Sequence, residues 1–206
     1  MIRPDDLITA GRLGRAALEQ LREDAWALPA RDLEFTCRQT VNHMVNSLLM
    51  FATRVAVLES HHTGSVRSND EAAPGTHLAY LVESSAAVLA HVVSLMPPGA
   101  LAFHPSGLAD GEGFLAMGTL EVLIHTYDVT STVDHPFDPP DGLCAKVVER
   151  LFPWVDIDAA GRDALLWAAG RIALPDRPRQ NDDWWVHAAP LSRWDGAVKT
   201  RSSHVG

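Results

Sequence analysis

Glu121, His125 and Asp128 fall within one short stretch, EVLIHTYD, inside the run GEGFLAMGTLEVLIHTYDV, whose other residues have the make-up of a protein interior. A carboxylate and an imidazole in such surroundings cost free energy unless they are paired, hydrogen-bonded or bound to a metal. On a helix Glu121 and His125 stand at i and i+4, so they project from one face about one turn apart. That spacing brings one carboxylate oxygen and one imidazole nitrogen within reach of a common cation. Two ligands are too few; catalytic zinc takes three from the protein and keeps one position open. His43, in VNHMVNSLLM, is the candidate third, delivered from another helix. The same two-His-one-carboxylate set suits ferrous iron or nickel, so ligand types alone do not choose the metal. Asp128, three residues after His125, either orients the ligand imidazole through a hydrogen bond or is an ordinary helix-surface carboxylate. The pair Glu121/His125 also matches a common helix-surface pairing worth about 0.2–0.5 kcal/mol.

Helical periodicity dominates the elements that must position these residues. Leu7, Ile8, Leu13, Ala17, Leu18 and Leu21 predict an amphipathic first helix from about Asp5 to Trp26, closed by Pro29. Thr40 is the expected N-cap of a second helix running to about Ser60, which puts His43 near its first turn. After the polar loop HHTGSVRSNDEAAPG, a third helix is expected over Thr76–Leu95, stopped by Pro97 and Pro98. The stretch PPGALAFHPSGLADG reads as a loop with a short extended piece. A fourth helix is expected from Glu112 to Val133, ended by HPFDPPDG. Two shorter helices follow, Gly142–Trp154 and Asp158–Ile172, the second capped by Asp158. In the Pro- and Trp-rich tail, Trp184, Trp185 and Trp194 are expected to pin the chain to the helices, with disorder from about Lys199 onward. Four long amphipathic segments predict an all-α fold, a helix bundle. Residues 1–135 form the metal-binding part and 136–206 an extension packed on it, one domain overall.

Composition narrows the function classes. At 206 residues, 47% hydrophobic and 21% charged, the chain is of ordinary globular make-up with room for one sizeable core. The net charge of −9 argues against nucleic acid or an anionic membrane as the main partner. MIRPDDLITAGRL lacks the apolar stretch of a signal peptide, and SLLMFATRVAVL is broken by Arg54 and too short to span a bilayer. Cys37 and Cys144 form no CxxC, so neither a disulfide framework nor a thiolate zinc site is indicated. A cytoplasmic protein with small-molecule partners is expected, with a homodimer left open.

Three segments resemble the DinB-like superfamily, within it the metal-binding-domain group of mycothiol-dependent maleylpyruvate isomerase. TCRQTVNHMVNSLLMFATRVA is similar to the family helix that carries the first metal histidine, at His43. EVLIHTYDV is similar to its Glu-x-x-x-His-x-x-Asp segment, with ligands at Glu121 and His125. LPDRPRQNDDWWVHAAPLSRWDG looks like a tail frequent in actinobacterial relatives. Gln39 stands where relatives commonly carry Trp. The resemblance implies an up-and-down four-helix bundle with a long second-to-third connection, holding a divalent metal, usually zinc, whose open position receives the sulfur of a low-molecular-weight thiol such as mycothiol. It therefore implies a metal-dependent thiol transferase or isomerase acting on a small electrophile. The alternative from a different class is a non-catalytic metal or small-molecule binding protein on the same fold.

Other residues are candidates for a pocket. Arg54, on an apolar helix, is expected either to meet an anionic ligand or to pair with Glu59 or Glu83. His187, between tryptophans and AAP, is expected to line a pocket mouth or to act structurally beside Trp184 and Trp185. His61, His62, His77, His91 and His104 lack a partner at ligand spacing and read as solvated or core polar residues, and Cys37 reads as a small buried thiol.

Overall fold

The computed structural model describes residues 1–61, 73–133 and 137–202. His62, most of the expected polar loop, the start of the HPFDPPDG break and residues 203–206 lie outside the described residues. The fold is predominantly helical, as expected: α1 Pro4–Leu18, α2 Cys37–Val57, α3 Gly75–Ser94, α4 Gly111–Thr130, α5 Asp141–Leu151 and α6 Gly161–Ala168. The extended piece is a hairpin of β1 Ala102–His104 and β2 Gly107–Ala109, paired antiparallel with Phe103 opposite Leu108.

Helices α3 and α4 each pack on both α1 and α2 and on one another, while α5 packs on α4 and α6. Gly118 of α4 lies against Leu7, Leu48 and Leu89, one leucine from each of the other three long helices. Gly14 of α1 faces Val122 and Thr126, and the Ile2 amide donates to Glu112, so α1 runs parallel to α4. Phe51 meets Phe114 while His43 meets Glu121, so α2 runs against α4. Val93 lies beside Gly111 and Leu89 beside Gly118, so α3 also runs against α4. The course is therefore up, down, down, up, not the alternating order of the up-and-down bundle that the resemblance implies. Periodicity identifies the apolar face of a helix but says nothing of its direction.

Several boundaries differ from expectation for local reasons. α1 ends at Leu18, and Glu23–Ala27 forms a separate 3-10 turn. That turn inserts Trp26 against Gly75, where any Cβ would fall 2.0 Å from the indole nitrogen. A helix continued to Trp26 would carry the ring away from this contact. α2 begins three residues before Thr40, because Thr36 and Gln39 form a reciprocal capping box. His43 thus sits in the second turn. α6 starts at Gly161 rather than Asp158, because Asp141 of α5 accepts from the Arg162 amide and serves as its cap across the interface. It ends at Ala168 in a Schellman turn: Arg171 N–H donates to Leu166, Gly170 N–H to Trp167, and Gly170 holds φ +69.

In the tail, Trp184 packs on Phe152 at 6.1 Å, Arg201 lies over both Trp184 and Trp185, and Trp194 donates to Ala197 within its own turn. The expected disorder from Lys199 does not hold through Ser202. Arg201 donates its amide to the Asp183 carbonyl, and Ser202 binds the Asp183 carboxylate through amide and hydroxyl. Among the described residues α3 is long and apolar enough to cross a membrane. Here it buries Leu78, Val82, Ala86 and Leu89 against its neighbours.

The two threonines at the start of α2 separate cleanly in experiment. Thr36→Ala removes a cap and is expected to lower the unfolding free energy by about 1 kcal/mol. The Thr40 hydroxyl is buried without a hydrogen-bond partner, so Thr40→Val is expected to leave stability unchanged or raised. Urea denaturation of the two variants checks both signs.

Candidate metal centre

α4 is surrounded by α1, α2, α3 and α5, and it buries residues on every side from Gly113 to Thr130. A helix enclosed in this way is apolar all round, so polar side chains on it must find partners inside the protein. Its N-terminus is set by Asp110, whose carboxylate accepts from the Gly113 amide. From there the helix carries Glu121 and His125 to the side facing α2, where the second turn of α2 presents His43.

The three side chains converge. Glu121 Oε2 lies 3.5 Å from His43 Nε2 and 3.5 Å from His125 Nε2. All three atoms lie within 4.8 Å of one another, and the two imidazoles meet edge to face at 5.2 Å. Glu121 Oε2 is buried and makes no hydrogen bond. An orphaned carboxylate oxygen midway between two imidazole nitrogens is what a site for a cation requires. Bonds of about 2.0–2.1 Å at tetrahedral angles place ligand atoms about 3.3–3.4 Å apart. An octahedral face at the same bond length needs about 2.9 Å. The cluster can hold a metal ion, and its spacing is nearer the tetrahedral case.

Exposure is uneven across the site. The His43 side chain is 39% exposed and that of His125 only 12%. The open side is therefore the His43 side, where the half-exposed ring of Phe35 stands 6.2 Å from the imidazole.

His125 is held from behind. Its Nδ1 lies 3.1 Å from Asp128 Oδ2, and Asp128 is fully buried. This is the orienting role, not the surface carboxylate that the sequence also allowed. Asp128 is in turn clasped by Arg171, whose Nε donates to Oδ1 at 3.0 Å and Nη2 to Oδ2 at 2.7 Å. Burial by itself would lower the His125 pKa. The hydrogen bond with Asp128 and the adjacent Glu121 carboxylate outweigh it and lift the value to about 9. Burial pushes the Glu121 carboxyl up, but the adjacent His125 and the nearby charges of His43 and His104 leave it below the usual carboxylate range. Asp128 is likewise held low against its burial by His125 and Arg171.

Arg171 had no signal in the sequence beyond the glycine before it, because its partner is 43 residues away. Of the two readings open for His104, solvated or core polar, the structure shows the second. It lies on β1, buried between the rings of Phe51 and Phe114, and its charge contributes to the low Glu121 pKa. Two other candidates stand elsewhere. Arg54 is three turns along α2 from His43, about 16 Å, with its guanidinium over Phe103 and 3.7 Å from Glu59. Of its two anticipated carboxylate partners it takes Glu59; Glu83 pairs with Arg15. His187 is buried in the tail: its amide donates to Leu151, its ring Nε2 lies 3.3 Å from the Pro190 carbonyl, and its own carbonyl accepts from Arg150. Those bonds fasten the tail to the N-terminal end of α4, through the Arg150–Asp110 ion pair at 2.6 Å. Cys37 and Cys144 are buried free thiols, raised in pKa by burial first of all.

In metal-free protein the raised His125 pKa has a definite sign. Its folded value of about 9 exceeds the ordinary 6.5, so its contribution to stability is complete below pH 6.5 and is lost as pH rises through about 9. Urea midpoints measured with chelator present should fall over that window, and His125→Gln should flatten the decline. Comparisons of the chain with family models, with curated proteins and with solved structures find no match, so function rests on these atoms.

Proposed function

We propose that the protein binds zinc through His43, Glu121 and His125 and uses it as a thiol-dependent transferase or isomerase of the DinB-like type. The observation that carries this reading is the buried Glu121 Oε2, without a hydrogen bond and 3.5 Å from each of two imidazole nitrogens. A set of two imidazoles and one carboxylate with an open side is a ligand set that catalytic zinc uses. The resemblance of the His43 and Glu121 segments to the group of mycothiol-dependent maleylpyruvate isomerase supports the same choice. We read the arrangement of α1–α4 as a four-helix bundle with a long second-to-third connection.

Each residue has a distinct task. Glu121 provides the one anionic ligand, and His43 and His125 provide neutral nitrogens through Nε2. Asp128 accepts from His125 Nδ1, which leaves Nε2 free of its proton for coordination. Phe35, beside the exposed edge of His43, offers an apolar surface to a small molecule entering from solvent. Held by these three residues, a divalent ion would supply a residual positive charge, after neutralisation by one carboxylate, that favours ionisation of a low-molecular-weight thiol such as mycothiol at neutral pH, the proton leaving to solvent. The buried surroundings of His125 and Asp128 would keep water from screening that charge. The ionised thiol would be the nucleophile toward a small electrophile. A cytoplasmic setting fits thiol chemistry of this kind.

Metal analysis of protein purified without chelator should find one zinc per chain, and His43→Ala or Glu121→Gln should abolish stoichiometric binding while keeping the helical circular dichroism. Conjugation of mycothiol or a simpler thiol to a panel of electrophiles should be lost on chelation and restored by zinc. Zinc binding without turnover on any electrophile class would favour the non-catalytic binding protein. Turnover indifferent to chelation would overturn the mechanism.

A further inference from the structure

The tightest polar contact around the centre comes from outside the four long helices. Arg171 follows α6 in a Schellman turn that depends on Gly170, because a Cβ there would meet Trp184 at 3.0 Å with the backbone at φ +69. The turn aims the guanidinium inward. Nε and Nη2 form a two-pronged grip on Asp128, Nη1 donates to the Ala169 carbonyl at 2.7 Å, and the flat face lies over the Trp184 ring at 5.6 Å. The Arg171 carbonyl accepts from Arg31, so the segment is also tied to the loop before α2. Asp128 Oδ2 is shared between Arg171 and His125 Nδ1. The side chains of Asp128 and Arg171 are 1% and 9% exposed, so neither charge has water as an alternative partner.

We infer that Arg171 is a positioning residue of the metal centre, coupling metal binding to the docking of the segment after α6. The inference rests on the metal reading above. Its chemistry is geometric. Asp128 has two oxygens and must present one of them in the plane of the His125 ring. Without a fork fixing both oxygens, the carboxylate rotates, and the imidazole loses the acceptor that sets its tautomer and orientation. A lysine delivers charge at one point and does not fix the plane. Coupling is reciprocal: whatever factor Arg171 adds to metal affinity, bound metal must return to the closed state of residues 169–171.

Zinc affinity, measured by competition with a chromophoric chelator, tests the first half. Arg171→Met and Asp128→Asn are each expected to weaken binding about 10–100-fold. The double variant is expected to be no weaker than the worse single one, because both remove the same support. Arg171→Lys should recover only part of the loss. Hydrogen exchange of the unaltered protein tests the second half without any variant: zinc should slow exchange of the Gly170 and Arg171 amides, whose acceptors lie in α6. Wild-type zinc affinity in a folded Arg171→Met protein, or amides indifferent to zinc, would overturn the inference while leaving the metal site standing. Failure of the unaltered protein to bind zinc would overturn both, and is seen in the first titration.

Discussion

A carboxylate inside an apolar helix bundle has to be answered by positive charge or by hydrogen bonds, and α4 carries two of them one above the other. Asp128 is answered in full, by an arginine fork and an imidazole. Glu121 is answered in part, with one oxygen left between two imidazole nitrogens at a distance too long for hydrogen bonds. This contrast organises the molecule. Burying a charge costs several kcal/mol unless its partners are well placed, so α1, α2, α3 and α5 can enclose α4 only if those partners arrive with them. His43 arrives on α2. Arg171 arrives on a turn far down the chain.

The extension is for that reason not an appendage. Asp141 at the start of α5 caps α6, α6 ends in the turn that aims Arg171, and Trp184 closes over the guanidinium. Arg150 on α5 ties the tail at His187 and Ala188 to Asp110, the cap of α4. One end of α4 is thus fixed through Arg150 and the other through Arg171. Both anchors are buried arginines on the C-terminal part of the chain, and the turns that carry Glu121 and His125 lie between them.

How much of this could be read from the residues alone depended on range. The pair Glu121/His125 and the follower Asp128 are local, and helical geometry put all three on one side. His43 stands out because a third donor has to come from a second helix, and the resemblance singles out the same residue, although a lone histidine on an apolar helix has many other uses. The capping box Thr36-Cys37-Arg38-Gln39 was legible and was missed in favour of Thr40, which stands closer to the apolar run. Arg171, the Asp141 cap and the parallel course of α2 and α3 were not legible. Each is a contact between distant segments, and a single sequence carries periodicity and local chemistry but no pairing of remote positions. The shortened α1 and α6 belong to the same class, because Trp26 on Gly75 and Asp141 on α6 are what end or begin them.

The unequal setting of the two imidazoles gives the site a direction of approach. His125 is locked by its neighbours, whereas His43 faces water at a helix surface. Anything entering from solvent meets the His43 edge and the ring of Phe35 before it reaches Glu121 and the enclosed His125, so the structure sets the order in which these side chains are encountered.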